Sequence, residues 1–143
     1  MREKSGIFSN ELHLDVGQIE ALTKPLIRDP RIMAAYLLGS VLTPYFRRES
    51  DVDAAILLHP GREMTSMERL ELAADLSKGL GHSVDIGLLS TWNLIYTKEA
   101  IIEGRCIYCR DTGARDLFAA TALSLYLQLK QERRIVEKLY THE

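Results

Sequence analysis

Apolar residues recur along this chain with two periods, and together these periods predict a domain that mixes strands and helices. Short continuous or alternating apolar runs bounded by Gly, Pro or Asp are typical of strands. Apolar residues spaced three and four apart after a capping residue predict helices. We predict strands at 32–38, 54–58, 83–89 and 105–109, and helices at about 15–30, 65–81, 92–103 and 114–139.

The predicted helix boundaries depend on local end signals. Asp15 with Gln18, and Thr65 with Glu68, have the spacing of a capping box, in which two side chains satisfy each other's free backbone N–H groups. Gly104 is placed to end the third helix, and the second is expected to end at Gly79 or Gly81. Residues 1–14 carry little pattern and are predicted to form a loose arm.

The length and composition are those of one globular domain. The 143 residues are 46% hydrophobic and 27% charged, without a repeat or a linker, so we treat 1–143 as a single domain. The order of elements predicts an α+β (α/β-like) fold with a short mixed β-sheet of about four strands and helices mainly on one face. A long C-terminal helix, in the segment 114–143, is expected to protrude in its later part.

Charge and apolar run length exclude several classes of function. A net charge of −2 and a pI near 6.1 argue against strong nucleic-acid binding. The N-terminal residues lack the apolar core of a signal peptide, and the apolar runs are shorter than a membrane span, so we expect a cytoplasmic protein. A strand at 105–109 is expected to point Cys106 and Cys109 to opposite faces, which favours a structural role over a zinc or redox site.

The candidate chemistry is concentrated between Leu37 and Leu58. Asp51 and Asp53 stand at the head of a strand, and residues two apart in a strand share one face, about 7 Å apart. Two like charges at this separation repel unless a cation lies between them, and oxygen ligands suit Mg²⁺. Gly39 allows a close backbone approach, and Ser40 stands where free N–H groups can meet a phosphate.

Two interpretations apply to each of four further side chains. Arg47 and Arg48 could neutralise a triphosphate or belong to a solvated loop. His82 is expected to be a solvent-exposed turn residue rather than a catalytic one. Trp92 could stack on a base but is more typical of core or hinge packing.

The pattern Gly39-Ser40, ten residues, Asp51-Val52-Asp53 resembles the signature of the polymerase-beta-type nucleotidyltransferase superfamily. In that superfamily a third carboxylate comes from a later strand, and Asp85 stands in such a strand. The chain is most similar to the minimal nucleotidyltransferases (MNT) that act as antitoxins with HEPN proteins. It departs from the pattern at Val41–Pro44, where the usual small basic element is absent.

The resemblance implies a specific reaction and partner. Asp51, Asp53 and Asp85 would hold two Mg²⁺ ions, with Asp85 also a candidate base, and Gly39 and Ser40 would seat the phosphates. ATP would supply AMP to a tyrosine hydroxyl of a HEPN-type ribonuclease toxin. Two alternatives stay open: AMP transfer to a small hydroxylated molecule, and a binding module that neutralises its partner by occlusion. The oligomeric state stays open.

Overall fold

The computed structural model describes residues 11–141, which form four strands and four helices around one sheet. The strands predicted at 32–38 and 105–109 are confirmed with the same bounds. The strands are β1 (Ile32–Leu38), β2 (Val52–Leu58), β3 (Val84–Leu88) and β4 (Arg105–Cys109), and the helices are α1 (Val16–Arg28), α2 (Ser66–Leu80), α3 (Leu94–Glu103) and α4 (Thr112–Thr141).

The sheet is mixed, as predicted, with the strand order β3-β2-β1-β4. β1 is antiparallel to both β2 and β4, whereas β2 and β3 are parallel. The parallel pair needs a crossover connection, and α2 provides it. As a result, β2, β3 and β4 all begin at the end of the sheet where β1 finishes, and the loops that precede them meet there.

Helices cover both faces of the sheet, so the expectation that they lie mainly on one face is wrong. Val52, Ala54 and Ile56 of β2 pack into a core with α1 and α2. Ala55 and Leu57 pack into a second core with α3 and the start of α4. A strand buried on both faces reads as a continuous apolar run, and this is the pattern that β1 and β2 show.

Both predicted capping boxes are present. The Gln18 N–H donates to Asp15 Oδ1 over 2.8 Å, and the Asp15 N–H donates to Gln18 Oε1 over 3.0 Å. Thr65 and Glu68 exchange the same pair of bonds at the start of α2. The second helix ends at Gly81, whose φ of +80° is favourable for glycine at a helix C-terminus.

A bulge in β4 overturns the expectation that Cys106 and Cys109 face opposite sides. The register between β1 and β4 shifts between Ala35 and Tyr36, so that Ile107 is skipped in the pairing. Because of this extra residue, Cys106 pairs with Tyr36 and Cys109 with Ala34, two β1 residues that point to the same face. Both thiols therefore pack against the core under α3 and α4.

The two ends of the described chain differ in their packing. Residues 1–10 of the predicted arm lie outside the described residues, whereas Leu14 is buried and the His13 N–H donates to the Val41 carbonyl over 3.0 Å. In α4, every position from 130 to 141 is exposed. Within 11–141, no helix is both long and apolar enough to cross a membrane.

Candidate active site

Two of the three predicted aspartates lie side by side at one end of the sheet. Asp53 and Asp85 are the second residues of β2 and β3 and pair directly in the parallel register. Strands in a sheet lie about 4.8 Å apart, and paired residues point to the same face. Both side chains are exposed. The fold therefore brings together two carboxylates that are far apart in the sequence.

Asp51 adds a third carboxylate at this end of the sheet, which we call the acidic end and define by Asp51, Asp53 and Asp85. Asp51 lies immediately before β2 and is exposed. Although the Asp53 side chain reaches solvent, partial desolvation by its surroundings raises its pKa, and the negative charges of Asp85 and Asp51 raise it further. The three carboxylates are thus close enough to act on one another electrostatically.

The three carboxylates of the acidic end do not converge on a common point in the described structure. Among residues 11–141, no three His, Cys, Asp or Glu side chains converge closely enough to hold a metal ion. Mutual repulsion favours this open arrangement, because like charges separate unless a cation lies between them. The donor atoms available are all carboxylate oxygens, which is the chemistry that Mg²⁺ accepts.

In metal-free buffer at pH 7, Asp53→Asn is expected to raise the midpoint of thermal unfolding by about 1–3 °C. A carboxyl whose pKa is raised by folding binds more protons in the folded state. Its contribution to stability therefore falls as the pH rises from about 3.9, the ordinary aspartate value, through the raised folded pKa. Asparagine carries no charge and avoids this loss.

Scanning fluorimetry in EDTA as a function of pH measures this difference. The gain is expected to shrink as the pH is lowered towards about 4, where the aspartate is increasingly protonated in both states. A variant that unfolds at a lower temperature than the wild type at pH 7 would show that the Asp53 charge stabilises the fold.

Gly39, which follows directly after β1, leaves space for the side chain of Asp53. Leu38, the last residue of β1, pairs with Asp53, and Gly39 follows with a φ of +81°. A Cβ atom at this position would lie 2.8 Å from Asp53 Oδ2. Both the backbone conformation and the space therefore require glycine here.

The Val41–Pro44 segment has a defined shape despite its departure from the family pattern. Gly39–Leu42 form a single 3-10 turn in which Val41 and Leu42 are buried. The Ser40 carbonyl accepts hydrogen bonds from the N–H and the hydroxyl of Thr43, both over 2.9 Å. The predicted helix start at Ser40 is therefore one short turn whose apolar side chains anchor it to the core.

Arg47 and Arg48 lie in the exposed loop that leads to Asp51. Two local hydrogen bonds stabilise this loop: the Arg47 N–H donates to Ser50 Oγ over 2.9 Å, and the Ser50 N–H donates to the Arg47 carbonyl over 3.1 Å. Neither guanidinium is in the ion pairs found within residues 11–141, which involve Arg31 and Arg115. The two interpretations of these arginines, as groups that neutralise a triphosphate or as part of a solvated loop, stay open.

Two side chains beside the acidic end were not identified from the sequence as part of it. His82 is half-buried, not an exposed turn residue, so that expectation is wrong: its Nδ1 lies 2.8 Å from the Ser50 carbonyl oxygen. Tyr96 of α3 lies across Gly87 of β3. Burial raises the pKa of Tyr96, and the charge of Asp53 raises it further, so the phenol is neutral. Trp92 is 95% exposed, so the expectation that it packs in the core is wrong, and base stacking stays a prediction.

Gly87→Ala is expected to destabilise the fold by about 1–3 kcal/mol through overpacking. A Cβ atom at Gly87 would lie 2.7 Å from Cζ and 2.9 Å from Cε2 of Tyr96. The cost is expected to fall by at least about 0.5 kcal/mol in a Tyr96→Ala background, because the two residues are in contact. Urea unfolding of the four proteins of this cycle measures the coupling.

Gly113→Ala is the matched control for this cycle. Its added Cβ would have an ordinary contact of 3.5 Å with Asp111. We expect it to show no coupling to Tyr96→Ala. If Gly87→Ala costs the same with and without the tyrosine ring, the contact described here is wrong.

Comparison with known families and structures finds one kind of protein. The family model described as "Polymerase beta, Nucleotidyltransferase" matches residues 20–113. The protein adenylyltransferase MntA of Shewanella oneidensis is 28% identical over 113 residues, which are 78% of this chain and 79% of MntA. Residues 20–113, which the family model matches, contain Gly39, Ser40, Asp51, Asp53 and Asp85, and the resemblance inferred from the sequence is confirmed.

Solved structures of toxin–antitoxin complexes contain chains with the same fold. One, a toxin–antitoxin crystal structure with AMP-PNP, superposes with a TM-score of 0.68 at 25% identity and covers 86% of this chain and 98% of the other. A second, of tri-AMPylated Shewanella oneidensis HEPN toxin in complex with MNT antitoxin, has a TM-score of 0.64 at 25% identity and covers 87% and 96%.

Proposed function

Because this chain belongs to the polymerase beta nucleotidyltransferase family, we propose that it transfers AMP from ATP to a tyrosine hydroxyl of a HEPN toxin and thereby acts as an antitoxin. The observation that carries the proposal is the in-register pair of Asp53 and Asp85, with Asp51 and Gly39 beside it. Family membership supports nucleotidyl transfer. Similarity to a protein adenylyltransferase supports AMP and a protein acceptor.

The acidic end fits Mg²⁺. Its donors are carboxylate oxygens, and the pKa of Asp53 is raised first by desolvation and then by the negative charges of Asp85 and Asp51, which a bound cation would offset. Asp51, Asp53 and Asp85 would hold two Mg²⁺ ions. Bound Mg²⁺ supplies positive charge to the transferring phosphoryl group and to the attacking and leaving oxygens. A protein that uses ATP and Mg²⁺ would act in the cytoplasm, and we propose this compartment for the chain.

The acceptor hydroxyl loses its proton during the transfer, and Asp85 is the group we assign to take it. Asp85 is exposed at the start of β3, where a partner's tyrosine can approach from solvent. The tyrosine oxygen forms a bond to the α phosphorus, and the bond from that phosphorus to the bridging oxygen breaks. Pyrophosphate leaves, and AMP remains on the tyrosine.

The turn after β1 and the loop before β2 would hold the triphosphate. Gly39 permits a close backbone approach, and Ser40 offers its hydroxyl at the start of the 3-10 turn. Arg47 and Arg48 are exposed on the loop next to Asp51 and would neutralise the pyrophosphate as it leaves. Because Gly39–Leu42 form only one turn, individual backbone N–H groups rather than a helix dipole would bind the phosphates.

Incubation with labelled ATP tests the proposal. The purified chain and a HEPN toxin encoded beside it are mixed with Mg²⁺ and either α-labelled or γ-labelled ATP, then separated on a denaturing gel. We expect label on the toxin from α-labelled ATP alone, because AMP transfer keeps the α phosphate and releases the other two. Label from both forms, or from neither, would contradict AMP transfer.

A different function, neutralisation by occlusion without turnover, is favoured by one observation. The segment Val41–Pro44 lacks the small basic element that usually follows Gly-Ser in this family. The double variant Asp51→Asn/Asp53→Asn separates the two functions in cells that express the toxin. An enzyme loses protection when both carboxylates become amides, whereas an occluding module keeps it.

A further inference from the structure

His82 lies in the turn between α2 and β3 and contacts the loop that precedes Asp51. Its Nδ1 is 2.8 Å from the carbonyl oxygen of Ser50, so the ring donates this hydrogen bond. The same ring stacks on Phe46 at 4.7 Å between centroids, with 31° between the planes. One imidazole thus holds the loop at two points, four residues apart.

Apart from these contacts, the loop from 43 to 51 is held by the side chain of Phe46, which packs against the core formed with α1 and α2. Its own hydrogen bonds join residues three or fewer apart, as in Phe46 N–H to the Thr43 carbonyl and Ser50 N–H to the Arg47 carbonyl. The next bond along the chain runs from the Val52 N–H to the Ser83 carbonyl over 2.8 Å. Together, the His82 and Ser83 contacts join the loop before Asp51 to the loop before Asp85.

The position of His82 is fixed from its own side by α2. Gly81 ends this helix with a φ of +80°, and its N–H donates to the Ser77 carbonyl over 3.1 Å. Ser77 Oγ in turn accepts from the Val84 N–H over 3.0 Å. The ring therefore projects from a well-defined helix end, which suits a group that positions a neighbouring loop.

We infer that His82 is a positioning residue for the reaction: it fixes the loop before Asp51 so that this carboxylate points into the acidic end, without touching substrate. The inference rests on the proposed function. Both the neutral and the protonated ring can donate from Nδ1, so the contact needs a donor rather than a particular charge. Residues that orient a ligand typically account for 10–100-fold in metal affinity or activity.

Hydrogen exchange tests the contact without ATP or metal. We expect His82→Ala to increase amide exchange at least about threefold in peptides that cover 44–51, through loss of the Ser50 and Phe46 contacts. His59→Ala is the matched control, because His59 follows β2 at the opposite end of the sheet. Equal exchange in His82→Ala and the wild type would overturn the inference.

Kinetics tests the consequence for the reaction. We expect His82→Ala to lower kcat for AMP transfer about 10-fold and to raise the Mg²⁺ concentration for half-maximal rate, with KM for the toxin unchanged. His82→Asn, whose amide N–H can replace the Nδ1 donor, is expected to recover most of the loss. His82→Phe keeps an aromatic ring on Phe46 but has no donor, and is expected to recover less.

The outcomes separate this inference from the proposed function. If the wild type transfers no AMP, the proposed function fails, and hydrogen exchange alone decides whether His82 holds the loop. If the wild type is active and His82→Ala matches it within twofold in kcat and in Mg²⁺ dependence, the positioning role is wrong. A loss that falls equally on all variants, including His59→Ala, also overturns it.

Discussion

Asp53→Asn is expected to lower the rate of AMP transfer about 10³-fold or more while the protein stays folded. The substitution keeps the shape of the side chain and removes the charge of the carboxylate that is paired with Asp85 and lies within electrostatic range of both Asp51 and Asp85. Electrostatic stabilisation of a transferring phosphoryl group amounts to several kcal/mol, and each 1.36 kcal/mol is about tenfold in rate. Single-turnover transfer of labelled AMP to the toxin measures the change.

Asp75→Asn is the matched control for this loss. Asp75 is an exposed carboxylate on α2, on the opposite side of the sheet from α3, and has no role in the proposed reaction. The variant is expected to transfer AMP at the wild-type rate. If Asp53→Asn keeps more than a tenth of the wild-type rate, the assignment of Asp53 as a metal ligand is wrong.

Gly39→Ala is expected to lower the rate about 10²-fold, the second largest effect. Its Cβ would lie 2.8 Å from Asp53 Oδ2, so the carboxylate must rotate away from its position at the acidic end. A displacement of about 1 Å at a catalytic group can cost 10²-fold. The φ of +81° adds a cost of about 1–2 kcal/mol in stability for any residue with a Cβ.

Gly61→Ala separates the carboxylate displacement from the backbone strain. Gly61 has a φ of +80°, and apart from its two chain neighbours no heavy atom of residues 11–141 lies within 4 Å of the Cβ that would be added. We expect both alanine variants to lose similar stability in urea unfolding, whereas Gly39→Ala alone loses activity. Equal activities at temperatures where both variants are folded would show that Gly39 does not act through Asp53.

Local signals in the sequence were sufficient for much of the fold. The apolar run at 32–38 and the segment 105–109 predicted two strands with the observed bounds, and both capping boxes are present. These features depend on residues within a few positions of one another. The DxD pattern is equally local, and family resemblance added Asp85, which β3 places opposite Asp53.

Features that depend on contacts between distant segments were not predictable. The ring of His82 meets Ser50 and Phe46 only because α2 and the parallel β3 return the chain to the start of β2. The position of Tyr96 likewise depends on a distant residue, because its ring lies where a side chain at Gly87 would be. No spacing in the sequence marks either contact.

The sequence pattern also did not predict which face of the sheet individual side chains point to. A single skipped residue in β4 turned Cys109 to the side of Cys106, and a strand pattern without that bulge predicts the opposite. At Val41–Pro44 the absence of the family's basic element said nothing of the shape. The buried side chains of Val41 and Leu42 determine it instead.

The most direct test of the central claim is the ribonuclease activity of the toxin after it has been separated from this chain. Toxin is incubated with the chain, ATP and Mg²⁺, purified away under dissociating conditions, refolded and assayed alone, with its mass measured in parallel. Toxin treated with Asp51→Asn/Asp53→Asn is the control. AMP transfer predicts toxin that stays inactive and carries AMP on a tyrosine only after treatment with the wild-type chain. Toxin that regains full activity at unmodified mass after wild-type treatment would contradict the account and leave occlusion as the function.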